Sequence, residues 1–140
     1  MLMIDIDHFK HINDLYGHAT GDAVIRQVEQ ILREAVRTTD KVARFGGEEF
    51  VVLLRDTDLN GAAVLADQIR QTVANTVFEP EGKCLRATIS IGIAETEFID
   101  GDIDHTIERA DRALYAAKSG GRNCVRSFEV TASQDLRAAA

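Results

Sequence analysis

The chain has 140 residues, 45% of them hydrophobic, which suits one domain with a real core. Its formal net charge is −7 and its basic residues are scattered, which excludes non-specific binding to a nucleic-acid backbone. A small phosphorylated ligand stays possible, because a few local cations or a metal can hold one.

The apolar N-terminal run meets Asp5 at once, so it is neither a signal peptide nor a membrane span. Leu2–Ile6 reads as a buried strand. Thr20 is predicted to cap a helix over residues 20–37, on the stripe Val24, Val28, Ile31, Leu32, Ala35 and Val36. Residues 42–45 and 50–54 read as two short strands. The GGEE between them is the natural connection, so GGEEF (residues 46–50) is expected at a β-hairpin tip. A second helix begins near Asp58 or Asn60, with Ala62, Leu65, Ala66, Ile69 and Val73 as its stripe. The single proline, Pro80, marks a loop.

Leu85, Ala87, Ile89, Ile91 and Ile93 alternate with Arg86, Thr88, Ser90 and Gly92, the period of a strand. A third helix carries Ile103, Ile107, Ala110, Leu114 and Ala117 and stops near Gly120 and Gly121. Residues 124–128 suit a last strand, and residues 129–140 are expected to fray. The fold class is α/β (α+β), a central sheet covered by helices. Cys84 and Cys124 are too far apart in sequence to set a metal spacing or a disulfide framework. Both are expected to be reduced, mostly buried thiols of a cytoplasmic protein.

Two acidic pairs carry the chemistry. Asp5 and Asp7 lie two apart on a strand and so share a face. They either look out at the strand end as ligands, or one caps the next turn and the other is solvated. Glu48 and Glu49 either hold a divalent cation, which favours hard oxygen donors, or make a solvated hairpin tip. Without a cation, at least one of these carboxylates should have a raised pKa or turn to solvent. Gly46 and Gly47 suit a tight turn and the close approach of a phosphate.

Four segments in order, DIDHFKHINDLYGHATGD, GGEEF, ATISIGIA and ALYAAKSGGRN, together resemble the GGDEF family of diguanylate cyclases, over about residues 1–128. The resemblance implies a nucleotidyl-cyclase or palm-like fold with a mostly antiparallel sheet. It implies two GTP molecules condensed to cyclic di-GMP across two facing domains of a homodimer, with Mg2+ or Mn2+. Nucleic acid and membrane are not expected partners.

By resemblance, Asp5, the backbone carbonyl of Ile6, Glu48 and Glu49 are the metal ligands, and Glu49 or Glu48 is the base for the 3′-hydroxyl. Asn13 and Asp22 match guanine-binding positions, and His18 a nearby substrate contact. Asp22 can accept from guanine N1 and N2 hydrogens, which adenine does not offer, so GTP is expected over ATP. Lys10, Lys118 and Arg122 match the cations on the triphosphate, which lies against Gly46 and Gly47. Arg37 and Asp40, in RTTD, match an R-x-x-D site for product inhibition; a salt bridge at the helix end is the simpler reading of that pair. His8, His11 and His105 are expected at the surface without a metal.

Family members usually carry a helix and a motif like D-x-L-T-G-L-x-N-R before the first strand. This sequence lacks both, so an N-terminally truncated domain with some exposed apolar surface on its first strand is expected. The alternative to a cyclase is a catalytically silent module that binds GTP or cyclic di-GMP.

Overall fold

The central strand of the sheet is the first in sequence. β1 (Leu2–Ile6) pairs antiparallel with β3 (Glu49–Leu53) on one side and with β4 (Ile89–Ile93) on the other. β2 (Lys41–Arg44) adds antiparallel to β3, and β5 (Val125–Ser127) adds parallel to β4. The sheet order is β2-β3-β1-β4-β5, mixed but mostly antiparallel, as expected. The helices are α1 (Phe9–Tyr16), α2 (His18–Ala35), α3 (Leu59–Asn75) and α4 (Ile103–Ser119), with a short 3₁₀ turn at Pro80–Gly82. These elements come from a computed structural model that describes residues 1–96 and 103–129. The expected frayed tail lies, apart from Glu129, outside the described residues.

The period of two in β1 sorts its side chains into two layers. Leu2, Ile4 and Ile6 enter the main core, with Val24, Val28 and Leu32 of α2, Ala66, Ile69 and Val73 of α3, and Phe50 and Val52 of β3. Met1 and Met3 enter a smaller core against Ala110 and Leu114 of α4. All five residues of β1 are buried, so the expected exposed apolar surface is not found on this strand. Helices cover both of its faces.

The same double cover holds for β4. Of the alternating run expected from Leu85 to Ile93, only Ile89–Ile93 forms the strand, and all five residues are buried. Ser90 and Gly92 turn toward α4, and a Cβ on Gly92 would overlap backbone atoms of Ala110 and Leu114. The glycine is what lets α4 lie directly on the sheet. α3 starts where the sequence placed it: the Asp58 carboxylate accepts from the Gly61 N–H at 2.7 Å, an N-cap bond.

Three further expectations need correction. Thr20 does not cap α2. It lies buried inside a helix that begins at His18, after Gly17 at φ 91°. α1 was not anticipated, because it starts at His8 with φ 53° and has no side-chain cap to announce it. Cys84 is exposed and Cys124 only half-buried, on loops next to short elements rather than in the core. Among the described residues, no helix is long and apolar enough to cross a membrane.

Candidate active site

The hairpin tip sits one residue earlier than expected. β2 ends at Arg44 and β3 already begins at Glu49, so the turn is Phe45 to Glu48. Phe45 and Gly46 both donate to the Glu49 carbonyl, at 2.8 and 3.3 Å. Arg44 closes the turn from outside. Its guanidinium donates to the Gly46 and Gly47 carbonyls at 3.2 and 3.1 Å through Nε, and to Gly47 again at 2.6 Å through Nη2. Sequence reasoning missed this clamp, although an arginine two residues before a Gly-Gly turn is the signal for it.

Because Glu49 is a strand residue, its place is set by the ladder. It stands directly opposite Asp5, and the Glu48 carbonyl accepts from the Ile6 N–H at 3.2 Å. Residues paired across an antiparallel ladder share a face. Here that face is the α4 side, and Lys118 of α4 reaches down so that Nζ lies 2.8 Å from Asp5 Oδ2. The structure therefore brings together Asp5, Glu49 and Lys118, with the Ile6 and Glu48 backbones alongside.

The electrostatics follow. Burial pushes the Asp5 carboxyl above its ordinary value, and the Lys118 hydrogen bond and charge pull it back only in part. Burial also raises Glu49, and the Asp5 charge raises it further; Asp111 of α4 and Glu48 add to the same effect. Asp111 was also missed from the sequence, though it lies two turns before Lys118 on the same helix.

These residues fit a divalent cation in donor chemistry. Hard carboxylate oxygens crowd together, two of them resist ionising together, and the Lys118 ammonium already stands in as the positive charge. The fit is incomplete in one respect. Among the described residues, no three His, Cys, Asp or Glu side chains converge closely enough to hold a metal ion.

Asp7 shares the face of Asp5, but neither solvates nor joins the carboxylate pair. Its carboxylate accepts from the Thr88 and Ser90 hydroxyls and from the Asn123 N–H. Both acids of the DID segment are thus buried, at 6% and 5% exposure, and each has different partners.

The remaining candidate residues make no hydrogen bond or ion pair to Asp5 or Glu49 among the described residues. Asn13 lies over Gly21, where a Cβ would overlap its side chain, and its Oδ1 is buried with no hydrogen-bond partner. That leaves an acceptor at the α1–α2 junction for a donor that none of the described residues supplies. Lys10, His18 and Asp22 are exposed on the same two helices. Gly46 and Gly47 are not at positive φ, so turn strain does not explain them. A Cβ on Gly46 would sit 2.9 Å from Glu49 Oε2, whereas Gly47 faces open space. Arg122 is exposed and at φ 62°, just past the end of α4.

The R-x-x-D pair lies away from this cluster, at the α2–β2 junction. It is not a salt bridge. Asp40, 8% exposed, accepts from the Arg37 N–H and from the Arg55 N–H, both at 3.0 Å, while the Arg37 side chain is exposed. His8, His11 and His105 are exposed, as expected.

The family model "Diguanylate cyclase, GGDEF domain" matches residues 1–124. The chain belongs to the GGDEF family. It is 46% identical over 125 residues to diguanylate cyclase A of Treponema denticola, covering 89% of this chain and 34% of that protein. The GGDEF domain of DgcB from Caulobacter crescentus, solved in complex with c-di-GMP, superposes with a TM-score of 0.87 at 36% identity. That match covers 92% of this chain and 77% of the other. The active GGEEF domain of a diguanylate cyclase from Vibrio cholerae superposes with a TM-score of 0.85 at 35% identity, covering 93% and 82%. This GGDEF chain spans about a third of the length of the curated relatives it matches.

Proposed function

We propose that this GGDEF domain condenses two GTP molecules into cyclic di-GMP with release of pyrophosphate. The observation that carries the reading is Asp5 held opposite Glu49 under Lys118, in a hairpin of the family's signature. The relatives' names as diguanylate cyclases, and the neighbour solved with c-di-GMP, support the same chemistry.

Each 3′-oxygen attacks the α-phosphorus of the other GTP, and the bond to pyrophosphate breaks. Two such transfers close the ring. Glu49 takes the proton of the attacking 3′-hydroxyl, because its burial beside Asp5 gives it more proton affinity than an exposed glutamate has. Glu48 is the alternative base. Asp5, the Ile6 carbonyl, Glu48 and Glu49 would hold Mg2+ or Mn2+, and the ion supplies charge at the attacking and leaving oxygens. Lys118 exchanges Asp5 for the triphosphate, with Lys10 and Arg122 adding charge. Asn13 Oδ1 and Asp22 accept from guanine, with His18 beside them, so GTP is selected over ATP. The triphosphate lies along Gly46 and Gly47.

One domain presents one GTP, so the reaction runs between two copies facing each other. Product binds at Arg37, on a turn that Asp40 holds in shape, and inhibits the enzyme. The domain works in the cytoplasm, where GTP is supplied.

A second reading rests on the missing donor trio and on Asp5 being tied to Lys118: a silent module that binds GTP or cyclic di-GMP. One experiment separates the two. The full chain is incubated with GTP and magnesium, then manganese, over a range of chain concentrations, and cyclic di-GMP is read by mass spectrometry. Product rising more steeply than chain concentration, and lost in Glu48→Ala and Glu49→Ala, is the expected result. No product from a folded chain that still binds GTP rejects the cyclase reading.

A further inference from the structure

Asp7 is a buried acid that the proposed chemistry does not use. Its Oδ1 accepts from the Ser90 hydroxyl at 2.6 Å. Its Oδ2 accepts from the Thr88 hydroxyl at 2.7 Å and from the Asn123 N–H at 3.0 Å. The first two bonds fasten the end of β1 to β4. The third reaches the turn that carries Arg122.

That turn is held against its own preference. Gly121, Arg122 and Asn123 have φ of 111°, 62° and 45°. Left-handed backbone costs most non-glycine residues roughly 1–2 kcal/mol; Arg122 bears that cost, and Asn123, a residue type that tolerates it better, follows in the same region. A turn of this kind keeps its shape only where the surroundings over-determine it. Three bonds do so. The Arg122 N–H donates to the Ala117 carbonyl of α4 at 3.1 Å. Arg70 of α3 donates to Asn123 Oδ1 at 3.0 Å. Asp7 supplies the third, from the turn just after β1, two places beyond Asp5.

We infer that Asp7 is a positioning residue, whose carboxylate sets where Arg122 stands relative to Asp5 and Lys118 and so tunes affinity for the terminal phosphates of the nucleotide. A carboxylate suits the task because three donors converge on it and it is acceptor-only. An amide would offer those donors one acceptor oxygen and one competing N–H group. The inference rests on the reading of Arg122 as a phosphate contact.

The test is calorimetric binding to the full chain with magnesium, using a GTP analogue with an α,β-methylene bridge, and GMP as the ligand without terminal phosphates. Four proteins are compared: parent, Arg122→Ala, Asp7→Ala and the double variant. Losing one charge-assisted phosphate contact should weaken the analogue about tenfold in Arg122→Ala. Asp7→Ala should give a similar loss, GMP should bind all four alike, and the double variant should be no weaker than Arg122→Ala. Equal losses for both ligands, or a further tenfold loss in the double variant, overturn the positioning role. So does an unchanged analogue affinity in Asp7→Ala while Arg122→Ala is weakened. If Arg122→Ala itself binds the analogue normally, the phosphate reading fails and the inference with it. Should Asp7→Ala not fold, Asp7→Asn is read the same way, and an unchanged ratio of analogue to GMP affinity overturns the inference.

Discussion

Lys118 Nζ lies 2.8 Å from Asp5 Oδ2, joining the last turn of α4 to the central strand. Asp5 is buried while Lys118 stays a third exposed, so the lysine is the partner that can swing toward solvent. Removing one partner of a buried pair strands the other charge. Discounted for the exposure of Lys118, Lys118→Met should cost the ligand-free chain about 2 kcal/mol. Urea unfolding with and without magnesium checks this. The midpoint should fall without magnesium, and added magnesium should restore more stability than it does in the parent. An unchanged midpoint would show that the pair holds nothing.

A pH dependence follows from the raised carboxyls of Asp5 and Glu49. For an acid whose folded pKa is raised, the stability it contributes is fully present below the unfolded pKa, about 4 for either residue. That stability is lost as pH rises through the raised folded value. The metal-free parent should therefore lose melting temperature with rising pH relative to the Asp5→Asn, Glu49→Gln double variant. Magnesium should shrink the difference, because it favours the ionised forms. Parallel curves for parent and variant would deny the coupling.

The two glycines of the hairpin should part company. Neither sits at positive φ, so alanine meets no backbone barrier at either place. Gly46→Ala puts a methyl 2.9 Å from Glu49 Oε2 and must move that carboxylate. Its expected signature is a fall in kcat. Gly47→Ala meets nothing within 4 Å, so stability should stay within about 0.5 kcal/mol of the parent. If triphosphate lies along the turn, the Gly47 variant should instead raise KM for GTP. Identical kinetics in the two variants would break the assignment.

Gly92→Ala tests the seat of α4. The new methyl would overlap backbone of Ala110 and Leu114, which no rotamer change can relieve. Overpacking against backbone should cost about 3 kcal/mol or more, read as a lowered thermal midpoint. A midpoint at the parental value would mean that α4 does not rest on β4 there.

Much of this was legible in the sequence where period and punctuation agree. α3 has a capping aspartate and a clean apolar stripe, and its observed start follows Asp58. β1 and the hairpin were placed within a residue. α1 was lost because its sides are marked by His8 and Gly17 in unusual backbone states rather than by a capping side chain. Its stripe of Phe9, Ile12 and Tyr16 was there to be read. β4 is shorter than its alternating run, and the smaller residues of that run, Ser90 and Gly92, serve contact with Asp7 and α4. The roles of the two acids in DID could not be told apart by spacing. Same-face geometry is shared by both, and only the partners from β4, α4 and the turn after α4 separate them.

The same limit applies to R-x-x-D, where spacing alone suggests that Arg37 and Asp40 act together. The structure gives them separate tasks. Both Asp40 oxygens accept backbone N–H groups, from Arg37 and Arg55, and tie the end of α2 to the strand after the hairpin. Asp40→Ala should take the acceptor from two part-buried N–H groups and cost about 1–2 kcal/mol. Arg37 has an exposed guanidinium, so Arg37→Ala should change stability by no more than about 0.5 kcal/mol. Its loss should instead abolish binding of cyclic di-GMP away from the active site, since a guanidinium can both stack on guanine and fork onto phosphate. Chemical unfolding and product titration on the two variants decide this together. Product affinity unchanged in a folded Arg37→Ala chain would remove the inhibitory site. An Asp40→Ala chain as stable as the parent would mean that the aspartate is free to meet the ligand itself.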